Sequence, residues 1–152
     1  MKNKIILGSC LDIDIPGEAF LISDPPYNQK YHYESYADDL KEIDYYELLF
    51  KIFHDRKAVI IHYPEETINL LGGGNLGLCQ QVVSWVYPSN TGKQSRLITW
   101  WNCKPDMTKV KQPYKNPIDK RIAERIARGD EARLYDWWEI DQVKNVSEEK
   151  TE

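Results

Sequence analysis

The chain has 152 residues, 41% of them hydrophobic and 12% aromatic, which is the length of one ordinary domain with enough apolar material for a single core. A charged fraction of 29% and a mean hydropathy of -0.62 describe a wet surface around that core, and exclude an integral membrane protein or an extended acidic disordered chain. The longest apolar runs, 58–61 and 68–71, fall far short of the ~18 residues that cross a bilayer. The N-terminus turns acidic at Asp12 and Asp14 before any run of signal-peptide length, so a cytoplasmic protein is expected. Cys10, Cys79 and Cys103 are an odd count and share no ligand spacing with His32, His54 or His62, so reduced thiols and no metal site are expected.

The net charge of -4 is unevenly spread. Residues 1–92 hold 7 Lys/Arg against 13 Asp/Glu, residues 93–133 hold 11 against 5, and residues 134–152 hold 2 against 6. A basic middle beside an acidic body suits a segment that touches phosphates, although a solvated helix face gives the same count.

In chain order, residues 5–7 before Gly8 read as a short strand, and residues 19–22 as a second, fully buried strand ending at a polar residue and two prolines. That strand delivers Asp24 to its carboxyl end, where open α/β sheets place ligands. A polar, aromatic loop over 31–39 leads into a helix over 44–53, with Tyr45, Leu48, Leu49, Ile52 and Phe53 at helical spacing. Residues 57–63 form a third strand, and residues 65–71 a helix stopped by Gly72, Gly73 and Gly74. Residues 81–87 and 95–101 are β-rich runs either side of a Pro-Ser-Asn-Thr-Gly turn, which predicts an antiparallel pair. Residues 105–117 are irregular, 118–128 form a basic helix closed by Gly129, 137–140 are a late aromatic segment, and the tail from 144 has nothing to pack. The sum is an α/β chain with a three-layer sheet and antiparallel edge strands. It divides into an α/β part over 1–92, a basic region over 93–133 and a late aromatic segment with a disordered tail over 134–152.

The run Ser23-Asp24-Pro25-Pro26-Tyr27-Asn28 carries the chemistry. An exocyclic amine is a poor nucleophile because its lone pair is delocalised into the ring. Acceptors aimed at both amine protons correct this. Asp24 offers a carboxylate and Pro25 a carbonyl held at a fixed angle, since successive prolines restrict their own backbone and that of the residue before. Fixed acceptors of this kind stabilise the positive charge that develops on nitrogen. The Tyr27 ring offers a face on which an extruded base can stack, on the order of 1–3 kcal/mol, and Asn28 can brace the base edge. The plainer reading is a tight turn after a strand.

This run resembles the catalytic motif of amino-directed DNA methyltransferases acting on adenine N6 or cytosine N4, with Asp in first place closer to the adenine branch. Residues 8–12, Gly-Ser-Cys-Leu-Asp, resemble the opening of the permuted class in which the catalytic motif comes first, and residues 134–140 resemble its late aromatic segment. The resemblance implies a Rossmann-like methyltransferase sheet, catalytic Asp24, Pro25, Pro26 and Tyr27, and S-adenosylmethionine as cofactor, held near Ser9, Cys10 and Asp24. It implies that Trp85 helps sandwich the flipped base and that residues 93–133 recognise double-stranded DNA, with Lys93, Arg96, Lys104, Lys109, Lys111, Arg121, Arg125 and Arg128 as phosphate contacts.

The chain departs from that pattern in one respect: the glycine-rich Phe-x-Gly-x-Gly type of loop that cradles the cofactor in the class is not present in these 152 residues, and Gly72 to Gly77 follow a helix rather than a strand. The sheet is therefore expected to be incomplete. Three readings follow: a subunit of a split enzyme, a truncated product or an engineered piece, with a complementing cofactor-binding chain or a homodimer needed for full activity in a restriction-modification setting. The alternatives are a non-catalytic DNA-binding or regulatory module of methyltransferase shape, or a methyltransferase for N4-cytosine or RNA.

Overall fold

The computed structural model describes residues 4–31, 38–73, 76–88 and 92–141. In chain order these contain β1 (Phe20–Ser23), α1 (Glu42–Phe53), β2 (Lys57–His62), α2 (Pro64–Gly73), β3 (Cys79–Val86), β4 (Ser95–Trp101), β5 (Lys111–Gln112), α3 (Lys120–Ala127), β6 (Ala132–Arg133) and β7 (Trp137–Glu139). Five strands form one sheet in the order β1-β2-β4-β3-β7, and β5 and β6 form a separate ladder. The turn expected at 88–92 and the tail from 144 lie largely or wholly outside the described residues.

The sheet is parallel except for one strand: β1 runs with β2 and β7 with β3, while β4 is antiparallel to both its neighbours. The β3–β4 pair expected at the edge is therefore interior. Its outer side is closed by β7, which the sequence offers only as an aromatic segment of three strand residues, too short to show a two-residue period.

One face carries the main core. Tyr45, Leu49 and Phe53, spaced four apart along α1, pack with Leu70 of α2 on Ala58, Ile60 and Trp101 of the sheet, a narrow apolar stripe of the kind that fixes a helix on a sheet. On the other face Val59, Val83 and Ile98 are covered by Trp100, Met107 and Trp138. The chain is thus a mixed α/β fold in which α1 and α2 cover one face, while α3 buries no side chain. The basic helix starts at an Asp119 cap, whose carboxylate accepts from the Arg121 amide at 2.9 Å.

Two expected strands differ. Residues 5–7 form no ladder, and Ile5 and Leu7 are 99% and 103% exposed; three apolar residues with no neighbouring strand have nothing to hold them extended. β1 is not fully buried: Ile22 is 74% exposed and Phe20 is exposed beside it on the face away from the helices. The cause is position, because β1 bonds on one side only and ends the sheet.

The end of the sheet away from Asp24 is held by Asn102. Its side chain accepts from the Leu78 amide at 3.0 Å and donates to the carbonyls of Arg56 at 3.0 Å and Leu76 at 3.1 Å. Gly77 has φ +100°, and a Cβ there would run into the carboxamide of Asn102. Gly77→Ala is expected to lower stability by about 2 kcal/mol or more, from backbone strain and displacement of Asn102; urea denaturation reads the change, with Gly17→Ala, where a Cβ meets only open space, as the neutral comparison.

Candidate active site at the sheet end

Strand direction assembles the site. β1 and β2 run parallel with Ser23 opposite Ile60, so the residues that follow them, Asp24 and then His62 and Tyr63, emerge at one end. β4 runs the other way with Leu97 opposite His62, so its start lies at that same end and brings Arg96 beside Tyr63. The end of β3 adds Tyr87, one residue past the Val86–Ser95 pair.

Asp24 is exposed and Tyr27 half-buried. The Tyr27 hydroxyl donates to Asp24 Oδ1, so the phenol holds the carboxylate as well as offering its ring. The ring packs at 5.1 Å on His62 and 4.8 Å on Tyr63. Burial and the neighbouring Asp24 charge push the Tyr27 hydroxyl well above the usual tyrosine range, with Arg96 opposing; the phenol stays protonated and remains a donor. Among the described residues nothing donates to the Pro25 carbonyl, whereas the Pro26 carbonyl accepts from Tyr45 Oη at 2.7 Å. The two prolines thus divide their work: one carbonyl is tied inward and the other accepts from no described residue.

The loop after Tyr27 is wound round Asp38, which is buried. Its carboxylate accepts from the amides of Asn28 at 2.8 Å, Gln29 at 3.0 Å and Tyr31 at 3.1 Å. Asn28 and Lys30 take positive φ of 55° and 63° to turn those amides inward, a conformation that short polar residues such as Asn tolerate. Asn28 itself donates to the Leu40 carbonyl at 2.9 Å, while its Oδ1 is buried without a partner. Its side chain is used to brace the loop. The remaining acceptor is the part of Asn28 with bonding capacity to spare.

The predicted cations separate into groups. Arg96 is only 8% exposed: its guanidinium stacks over Tyr63 at 3.6 Å, donates to Tyr87 Oη and lies 5.1 Å from the Tyr27 ring. The surface phosphate contact expected of Arg96 is corrected to a cation buried among tyrosines, because the reversal of β4 turns its start inward over Tyr63. Lys93 is exposed, 4.2 Å over the same Tyr63 ring and 3.8 Å from Glu65. Lys104 and Lys109 are exposed. Lys111, Arg125 and Arg128 line an open hollow of about 460 Å³ with Tyr114, Asp130 and Glu131, and Arg121 is paired with Asp119 at 3.1 Å.

Trp85 donates its indole N–H to the Ile140 carbonyl at 2.8 Å and packs on Tyr87, tying down the chain after β7; no ring contact joins it to Tyr27 among the described residues. Ser9 and Cys10 sit on an exposed turn whose bonds stay local, from the amides of Leu11 and Asp12 to Ser9. The sequence reading did not single out Tyr45, His62, Tyr63, Tyr87 or Asp38. His62 and Tyr63 had a signal, since they end a buried strand parallel to the motif strand; Tyr45 had none beyond its place in an apolar stripe.

Burial, and then the Arg96 charge, push the His62 pKa down to about 4 from 6.5. In the unfolded chain the imidazole binds its proton near 6.5, so the unfolded state gains protons first on acidification and stability falls as the pH drops from about 6.5 towards about 4. At pH 5 the loss from this group is expected to be about 2 kcal/mol relative to pH 7. Urea denaturation at the two values measures it, and His62→Gln is expected to remove that part of the pH dependence. No family model matches the chain, and no curated protein matches it.

Proposed function

We propose that the sheet end around Asp24 grips an extruded nucleobase by its exocyclic amine, and that the chain is the base-handling part of an S-adenosylmethionine-dependent DNA methyltransferase acting on adenine N6. The observation that carries this reading is the acceptor pair: an exposed Asp24 carboxylate and, next to it in sequence, a Pro25 carbonyl that accepts from no described residue, both just past the carboxyl end of β1. Two acceptors drawing on the two N–H bonds return electron density to the nitrogen, and the carboxylate charge steadies the cationic nitrogen formed on transfer. The surplus proton can leave afterwards to water or Asp24, so no strong base is required. Tyr27 supplies a partly open ring beside the pair. A Rossmann-like methyltransferase sheet is part of the same proposal, supported by parallel β1 and β2 with ligand-type residues at their carboxyl ends.

Ser9 and Cys10 do not fit a donor pocket as they stand, being exposed on a turn bonded only to itself. We place the cofactor pocket on a complementing chain or a second copy. The hollow lined by Lys111, Arg125 and Arg128 is the contact proposed for the phosphate backbone, three cations against Asp130 and Glu131, with Arg128 paired to Asp130 at 3.1 Å.

The test uses labelled S-adenosylmethionine and mixed-sequence duplex DNA, with and without host lysate, followed by mapping of the product base. Asp24→Ala is expected to lower methyl transfer about 100-fold or more and leave DNA affinity within about 3-fold, whereas replacing Arg125 and Arg128 by Ala reduces the salt dependence of binding by about two counterions. Methyl on cytosine N4 moves the reading to the other branch. DNA binding with no transfer by the unaltered chain under either condition favours the non-catalytic module.

A further inference from the structure

A buried hydrogen-bonded chain lies beneath the proline pair. The Tyr63 amide donates to His62 Nδ1 at 3.2 Å, so the neutral imidazole carries its proton on Nε2. That nitrogen is 2.6 Å from Tyr45 Oη, and the Tyr45 hydroxyl donates onward to the Pro26 carbonyl at 2.7 Å. His62 and Tyr45 are 1% and 2% exposed, so water does not compete for these bonds. The bonds run from β2 through α1 to the turn, two elements whose mutual placement the core fixes. The bonded carbonyl sets the plane of the Pro26–Tyr27 peptide. The Pro26 ring locks φ, so only ψ of Pro26 separates that plane from the plane holding the Pro25 carbonyl.

We infer that Tyr45 and His62 are positioning residues that aim the Pro25 carbonyl and hold the turn at its working angle. The inference rests on the proposed function for its chemistry, but the clamp itself is a property of the turn and is measured without catalysis. Among the described residues, Arg96 and Tyr27 also face His62, and neither bonds to the Pro26 carbonyl, which accepts from Tyr45.

Three variants test it: Tyr45→Phe, which keeps the ring and removes the hydroxyl; His62→Leu, which removes the donor; and His62→Gln, which restores an N–H. The first readout is hydrogen exchange at the amides of Asn28, Gln29 and Tyr31, taken relative to the β2 and β4 amides that report global opening. Tyr45→Phe and His62→Leu are expected to speed loop exchange about tenfold, the weight of one hydrogen bond, and His62→Gln to stay near the unaltered chain. The second readout is methyl transfer, in which the first two variants lower kcat by about 10- to 100-fold at unchanged KM for DNA, with recovery in His62→Gln. Unchanged loop exchange overturns the clamp whatever the activity. A looser loop with undiminished transfer overturns its part in the chemistry. A looser loop in a chain that transfers no methyl even with lysate overturns the methyltransferase reading instead, and reduces the clamp to a structural one.

Discussion

The parallel pairing of β1 with β2 is the constraint from which the rest of the site follows. Had these two short strands run in opposite senses, Asp24 and His62 would lie at opposite ends of the sheet, and no loop of this length would reunite them. With both carboxyl ends together, the residues that follow them meet: the Tyr27 ring packs on His62 and Tyr63, and the Arg96 guanidinium lies 5.1 Å from it. The antiparallel β4 completes it by contributing its start instead of its finish, which is why a residue far along the chain lies under the motif.

Charge at this end is arranged with economy. Arg96 is a buried cation with no carboxylate in ion-pair range among the described residues; its electrostatic counterparts are three electron-rich phenol rings. Stacking on aromatic faces suits a guanidinium, which is planar and weakly hydrated. Its nearest formal anion in the network is reached through Tyr27, whose hydroxyl is bonded to Asp24. The carboxylate is therefore held by a neutral donor rather than neutralised by a cation, and keeps full acceptor strength at its second oxygen. On the other side of the turn, Asp38 is the opposite case: a buried carboxylate whose acceptor capacity is spent on three amides, serving the backbone alone. Two aspartates fourteen residues apart in sequence thus differ in role because one faces donors on every side and the other faces a phenol and open space.

Much of this was legible in the residues. Alternation of apolar runs with helical spacing located α1, β2, α2, β3 and β4, because each has enough residues for its period to show. What was illegible is what depends on neighbours. Phe20 and Ile22 read as buried because an apolar run carries no mark of whether a second strand flanks it. Trp137 to Glu139 read only as an aromatic segment because a parallel partner some fifty residues upstream in β3 supplies the pairing. Arg96 read as a surface cation because the sequence does not tell which way β4 runs beside β2. The motif residues were identified by type, and their partners were not, because Tyr45 and His62 act through bonds between elements that no local pattern encodes.

The exposed side of β1 has a cost of another kind. A terminal strand with apolar Phe20 and Ile22 outward, and without lysine, proline or a bulge inside it, lacks the usual protections against adhesion to other extended chains. In concentrated solution this strand, whose last residue opens the motif run, is a point of adhesion. Any polypeptide that settles along it also presses on the backbone leading into Asp24, so stickiness and the shape of the motif are linked through a single stretch of chain.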